Sequence, residues 1–377
     1  MILNEEQAMV RDMARRFASE QLAPQSAAWD ESGEFPRAVI AEMGALGLMG
    51  MLVPEEWGGA MTDTIAYACA LEEIAAGNGA ISTIMLVHNS VGCVPILRFG
   101  TEAQKDEFLR PMAAGGMLGA FCLTEPQAGS DASALRTRAR RTNTGWVLNG
   151  VKQFITSGRN ADVAIVFAVT DPEVGKKGIS AFVVPTRTPG WRVASIERKT
   201  GQHLSDTAQI ALEDLELPAE ALLGAEGEGY RIALSNLEGG RIGIAAQSVG
   251  MARAALDAAV AYATERESMG KRLIDHQAVA FRLADMATQV EAGRQMVLHA
   301  AALKDNGRNA LQAASMAKLF ASEMAEKVAS AAIQTFGGYG YTRDYPVERI
   351  WRDVRVCQIY EGTSDIQRLV IARALAG

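Results

Sequence analysis

Histidine and cysteine are both scarce, with four of each in 377 residues. Cys69, Cys93, Cys122 and Cys357 stand far apart, and with equally scattered histidines they make no metal-ligand spacing. That excludes a zinc-type centre and predicts reduced thiols. Positive charge is not in excess: 37 Lys and Arg against 44 Asp and Glu leave a net charge of −7. Neither nucleic acid nor an anionic membrane is an expected partner. No apolar run approaches 18 residues, so no membrane insertion is expected. The polar, acidic start Met1-Ile-Leu-Asn-Glu-Glu-Gln7 lacks a signal or transit pattern, which predicts a cytoplasmic protein. The G-x-G-x-x-G, G-x-x-x-x-G-K-[ST] and G-x-S-x-G motifs are all missing, removing Rossmann, P-loop and α/β-hydrolase readings.

What is present falls into three zones. Residues 1–118 carry helical periodicity over Glu5–Gln21, Ala38–Leu46, Thr64–Ala76, Ile81–Phe99 and Gln104–Ala113. Residues 119–229 turn β-rich. Trp146–Leu148, then Asn149-Gly150, then Val151–Thr156 predicts a hairpin, with further strands at Val163–Val169, Ile179–Pro185, Trp191–Ile196 and Ala208–Leu212. Residues 230–377 lack proline from Tyr230 to Tyr345 and predict three long helices, broken near Gly270 and Asn306–Asn309, plus a final one. The expected fold class is α+β, mostly α: an N-terminal helical domain, a middle antiparallel β-sheet domain and a C-terminal four-helix bundle.

The stretch Ile359-Tyr-Glu-Gly-Thr-Ser-Asp-Ile-Gln-Arg368 places a lone acid before a glycine and a helix start. Ser364 and Gln367 fit a capping box, with Ile366, Leu369, Val370 and Ala374 at helical spacing behind it. Glu361 would lie on a turn over an apolar interior, where burial raises a carboxylate toward neutrality and makes it a general base. On these residues alone, a surface glutamate beside an N-cap is the competing interpretation.

Five blocks occur in order: Phe121-Cys-Leu-Thr-Glu-Pro-Gln-Ala-Gly-Ser-Asp131, Gln153-Phe-Ile-Thr-Ser-Gly158, Arg266-Glu-Ser-Met-Gly270, Gln334-Thr-Phe-Gly-Gly338 and Ile359–Arg368. Together they resemble the acyl-CoA dehydrogenase family over essentially the whole chain. The resemblance implies FAD between the middle domain and the bundle, an acyl-CoA substrate, an electron-transfer flavoprotein as acceptor and a homotetramer. Phe121, Leu123, Thr124 and Ser130 match the flavin-contacting strand and loop, and Ser130 also the CoA side of the substrate. Phe154 and Thr156 match the segment against the flavin's other face, with Phe154 where many members carry Trp. Arg266, His276 and Gln277 match the surroundings of the pyrophosphate, and Gln334, Gly337 and Gly338 a strip supplied by a neighbouring subunit. Thr363 and Asp365 match the last cofactor contact, although Gln or Glu often stands at the latter position.

The reaction implied is α,β-dehydrogenation of a thioester, with Glu361 removing the α-proton and flavin N5 taking the β-hydride. Glu238, Arg241, Tyr360 and Gly362 would line the substrate. One branch of the family carries its base on a bundle helix, immediately before an arginine resembling Arg241. Here that position is Gly240, which places the chain with the short- and medium-chain arrangement. Between Arg37 and Arg98 there are six acids and no Lys or Arg, which disfavours a distal carboxylate as in glutaryl-CoA. Short straight or branched acyl chains rank first. The alternatives are a medium-chain dehydrogenase, an acyl-CoA oxidase on the same fold, or a flavin- and CoA-binding relative without dehydrogenation. His88 is expected to be a helix residue with a satisfied ring. The run Arg136, Arg138, Arg140 and Arg141 is expected to be a solvated strand face, with the CoA phosphate as the other option.

Overall fold

The computed structural model describes residues 1–376, the side chains of Leu237 and Glu238 excepted. The N-terminal part is built from α1 (Glu5–Phe17), α2 (Ser26–Ser32), α3 (Arg37–Ala45), α4 (Thr64–Gly77), α5 (Gly79–Val87), α6 (Val94–Phe99), α7 (Glu102–Gln104) and α8 (Arg110–Ala113). Caps explain where several begin. Asn4 and Gln7 form a capping box on α1, and Asp63 and Asn78 accept the N3 amide of α4 and α5. Between α5 and α6 a π turn at His88–Cys93 keeps the chain helical, so Gly79–Phe99 is long and apolar enough to pass for a membrane span. That corrects the expectation from the sequence. Of an 18-residue stretch within it, 89% is buried inside the fold, as in a core helix.

The middle part is a sheet of β1 (Gly119–Cys122), β2 (Arg138–Arg141), β3 (Gly145–Thr156), β4 (Val163–Val169), β5 (Ile179–Pro185), β6 (Trp191–Ile196), β7 (Thr207–Pro218) and β8 (Leu222–Leu223). The order is β6-β7-β3-β2-β4-β5-β8, with β1 also on β4. Most pairs are antiparallel, but β1 and β2 both meet β4 in parallel, so the sheet is mixed.

The predicted hairpin at Asn149-Gly150 does not form, because β3 runs straight through both residues. It pairs with β2 over its first half and with β7 along its length, and the Asn-Gly step is taken up as a bulge between Leu148 and Gly150. Gly150 has φ 156°, and a Cβ there would lie 2.4 Å from the Thr137 hydroxyl. Asn149 exchanges hydrogen bonds with Asp214 on β7. A local turn signal lost to two ladders. The actual hairpin joins β2 to β3 around Thr142.

The C-terminal part comprises α9 (Gly229–Glu265), α10 (Gln277–Asp305), α11 (Leu311–Phe336), α12 (Pro346–Val354) and α13 (Ser364–Ala376), with a two-strand ribbon, β9 (Glu267–Ser268) and β10 (Lys271–Arg272), after α9. Small residues let the long helices close on one another: Ala245, Ala252, Ala314, Ala317, Ala321 and Ala325 are fully buried. At the seam between α4 and the bundle, Glu72 binds Arg294 and Glu73 binds Arg15 and Arg253. N-terminal part and bundle thus share one core, on which the last turn of the chain rests.

Candidate active site

Thr363, one residue outside α13, accepts the Ile366 amide at 3.3 Å and is the N-cap. The expected Ser364–Gln367 box is therefore corrected by one position. Ser364 is already the first helical residue, and its hydroxyl is buried without a partner. Gln367 turns back instead, its amide donating to the Gly362 carbonyl at 2.9 Å and the Glu361 carbonyl at 3.4 Å. This clamp holds a strained turn, with Glu361 at φ 49° and Gly362 at φ 90°. A left-handed non-glycine residue costs about 1–3 kcal/mol and persists only where its surroundings enforce it.

The Glu361 side chain reaches α9. Its Oε2 is buried without a hydrogen-bond partner, although the residue keeps some exposure. A Cβ on Gly240 would lie only 1.7 Å from that oxygen, so the carboxylate occupies the space a side chain at 240 would fill. Burial raises the carboxyl to about 7, opposed by the charges of Lys318 and Arg241. From α4, Tyr67 feels the same carboxylate, and its buried hydroxyl is also without a partner. An acid poised near neutrality with a free lone pair can take a proton from a neighbouring group.

Beneath the turn, Tyr360 points inward and donates its hydroxyl to Gln247 on α9. Gln247 donates to Ser82 and Thr83 of α5, and Thr83 donates to Gln202 in the β6–β7 loop. The Gln202 amide closes the chain on Asp353 of α12, whose carboxyl burial raises to about 6. One buried polar network therefore connects all three parts of the fold to the residue beside Glu361. It also means that the Tyr360 hydroxyl is engaged inside the protein.

The second group of predicted residues gathers at the end of β1. The Gln153 amide donates to the Thr124 carbonyl at 2.9 Å, which brings Phe121, Leu123 and Thr124 beside Phe154 and Thr156. Phe154 is 61% exposed and has φ 57°, an aromatic face held outward. Phe121, Leu123, Thr124 and Thr156 are half-buried around it. The strand end is fastened from below by Lys152, wholly buried, which donates to Glu125 at 2.8 Å and to the Leu123 carbonyl at 3.3 Å.

Glu125 also accepts from the Arg136 and Thr137 amides and from Gln127. Burial disfavours its charge, but Lys152 and these donors overcome that and hold it at about 2. Its stabilisation is thus present above the ordinary value of 4.5 and lost as pH falls through 2. Lys152→Met leaves this carboxylate buried and uncompensated, so a loss of about 3–5 kcal/mol is expected in denaturant unfolding at pH 7. A loss below about 1 kcal/mol would show that the pair is not needed.

The remaining predicted residues are dispersed. Ser130, Arg266, Gln277, Gln334, Gly337, Gly338 and Asp365 are exposed. The Arg266 guanidinium lies 5.9 Å above the Tyr339 ring, bringing the 266 and 337–338 blocks together on one face. His276 pairs with the Ser268 carbonyl at 3.0 Å, and Asp365 with Arg368 at 3.3 Å. Arg241 is buried on α9, and the Glu238 side chain lies outside the described residues. Arg136, Arg138, Arg140 and Arg141 are solvent-exposed, Arg141 pairing with Glu226. His88 is structural: its ring lies between the Gly119 amide and the Met112 carbonyl, and burial lowers it to about 4. Sequence reasoning passed over Tyr67, Gln247 and Lys318. Only Lys318 left a signal, as a lysine on the alanine stripe of α11.

Family models of the acyl-CoA dehydrogenase N-terminal, middle and C-terminal domains match residues 4–116, 120–215 and 227–376. An acyl-CoA dehydrogenase of Bacillus subtilis is 50% identical over 377 residues, covering 100% of both chains. The human mitochondrial short-chain specific acyl-CoA dehydrogenase is 47% identical over 98% of this chain and 90% of its own. Among solved structures, butyryl-CoA dehydrogenase from Megasphaera elsdenii superposes with a TM-score of 0.97 at 42% identity, covering 100% of both chains.

Proposed function

The chain belongs to the acyl-CoA dehydrogenase family, and we propose that it oxidises short acyl-CoA thioesters to trans-2-enoyl-CoA with Glu361 as the base and FAD as the cofactor. One observation carries this reading: Glu361 Oε2 is buried, without a partner, in the space vacated by Gly240. A carboxylate in that state is costly to keep unless something binds against it. A thioester α-carbon presented there would give up its proton to Oε2, at a base already near neutrality. The Glu361 amide would polarise the thioester carbonyl, and such donors contribute about 3–4 kcal/mol. Tyr67, opposite, would wall the acyl pocket, and Arg241, Gly362 and the Tyr360 ring would line it. Glu238 is assigned to the pantetheine side on the family pattern alone.

The residues at the end of β1 fit a flavin. An outward aromatic face at Phe154, with the half-buried Thr124 and Thr156 on the adjoining backbone, suits a flat ring with polar edges. When bound, FAD supplies the acceptor for the β-hydride. Phe121, Leu123, Thr124, Phe154 and Thr156 would hold its ring system, Ser130 its substrate-facing side, and Arg266, His276, Gln277, Thr363 and Asp365 its phosphates and ribityl chain. Gln334, Gly337 and Gly338 would serve the neighbouring copy in a homotetramer, consistent with their exposure and with the exposed Phe281 and Tyr341 on the bundle. An electron-transfer flavoprotein would then take the electrons.

The deciding experiment is an anaerobic titration of the purified protein with butyryl-, isobutyryl-, 2-methylbutyryl- and octanoyl-CoA, following loss of the oxidised flavin colour. Bleaching by a four- or five-carbon thioester at the lowest concentration is expected. Preference for octanoyl-CoA overturns the short-chain assignment, and a yellow protein bleached by none of them overturns the reaction.

A further inference from the structure

Lys318 has no exposed surface, and its neighbours on the same face of α11, Ala314, Ala317, Ala321 and Ala325, are equally buried. Placing an ammonium there costs several kcal/mol unless another charge compensates it. Its hydrogen bond goes to the Gly362 carbonyl at 2.7 Å, yet Gln367 already donates to that oxygen at 2.9 Å. A neutral side chain would have left the carbonyl served. The requirement for charge must come from elsewhere around the turn.

Several groups face it. Tyr67 on α4 and Cys357 and Tyr360 at the turn itself are all pushed upward by burial and stay neutral at pH 7. Arg241 on α9 is a second cation, and Glu323 on α11 a more distant acid. Among the described residues the remaining charge is Glu361, whose Oε2 has no partner. A buried carboxylate with no cation nearby takes up a proton at neutral pH and is useless as a base. A lysine in direct contact would occupy the lone pair that must receive the substrate proton. Lys318 does neither: it donates to the adjacent Gly362 carbonyl, and Glu361 Oε2 is left without a partner.

We propose that Lys318 is a positioning residue whose buried charge keeps a share of Glu361 ionised at neutral pH in the substrate-free enzyme while its bond to Gly362 pins the turn. This rests on Glu361 being the base. Burial lowers Lys318 itself to about 8, so its charge is present at neutral pH and fades above that value.

The test compares Lys318→Met and Lys318→Arg holoenzymes with wild type by two readouts: the acid limb of kcat/KM for butyryl-CoA, and infrared titration of the protonated carboxyl band that Glu361→Gln removes. Loss of the cation raises the carboxyl, so both midpoints should move to higher pH in Lys318→Met, by about one unit, with activity down about fivefold at pH 7 and less at pH 9. Lys318→Arg should stay near wild type. An activity loss equal at all pH values, or an unmoved infrared midpoint, overturns the proposal and leaves Lys318 a structural clamp.

Should Lys318→Met fail to fold, the Lys318→Met, Glu361→Gln double variant decides. Recovery of folding supports charge compensation, and failure overturns it. The infrared titration needs no turnover. If no thioester bleaches the flavin, the assignment of the base falls, while the dependence of the carboxyl on Lys318 is still read independently.

Discussion

Glu361→Gln is expected to abolish bleaching by acyl-CoA while the protein stays yellow and still binds CoA thioesters. The amide keeps the shape of the side chain but has no basic oxygen. Losing a general base typically costs about 10²–10⁴-fold, which sets the minimum effect on the rate of flavin reduction. The same substitution should alter stability in a pH-dependent way. Burial puts the folded-state carboxyl at about 7 against an ordinary 4.5, so the native state holds its proton more tightly than the unfolded chain. The cost of ionising it is absent below 4.5, grows between those values and is complete above 7. Glu361→Gln should therefore match wild type at pH 4 and melt at a higher temperature at pH 8. Near-normal flavin reduction in this variant would remove Glu361 from the mechanism; a melting difference independent of pH would show that the carboxyl is not buried in solution.

Gly240→Ala should separate stability from activity in the opposite position of the same contact. The residue lies inside α9, where alanine favours helix by about 1 kcal/mol over glycine. Its new methyl would stand 1.7 Å from Glu361 Oε2 and 2.8 Å from the carboxyl carbon. Those atoms end a side chain and not a backbone, so the carboxylate moves aside and the helix is kept. A displacement of about 1 Å at the reacting centre costs about 100-fold in rate. The expected outcome is an unfolding midpoint at or above wild type with kcat for butyryl-CoA lowered at least that much. Full activity would mean that the carboxylate works from another position than the one found here.

The two contacts also show what could be read without coordinates. Helical periodicity placed α4, α9, α10 and α11 because each buries a broad face, and that pattern survives wherever the helix packs. Glu361 was legible for a similar reason, as a single acid between a tyrosine and a glycine just before a helix. Asn149-Gly150 misled because turn propensity is worth little against ladders with β2 on one side and β7 on the other. Ser364 misled by one residue: Thr363 and Ser364 are equally good caps, and the choice was made by where Gln367 could reach.

The linear order of residues determined the kinds of element, their breaks, the lack of metal-ligand spacing and the presence of an acid in the final turn, since all of these depend on neighbours within a few positions. It could not determine that this acid would fill the space left at Gly240, come under the charge of Lys318 and rest on a chain of hydrogen bonds running from Tyr360 to Asp353. Those partners come from helices far apart in the chain. The protonation and strain of Glu361 arise from desolvation and charge among them, which exist only once the helices have closed around it.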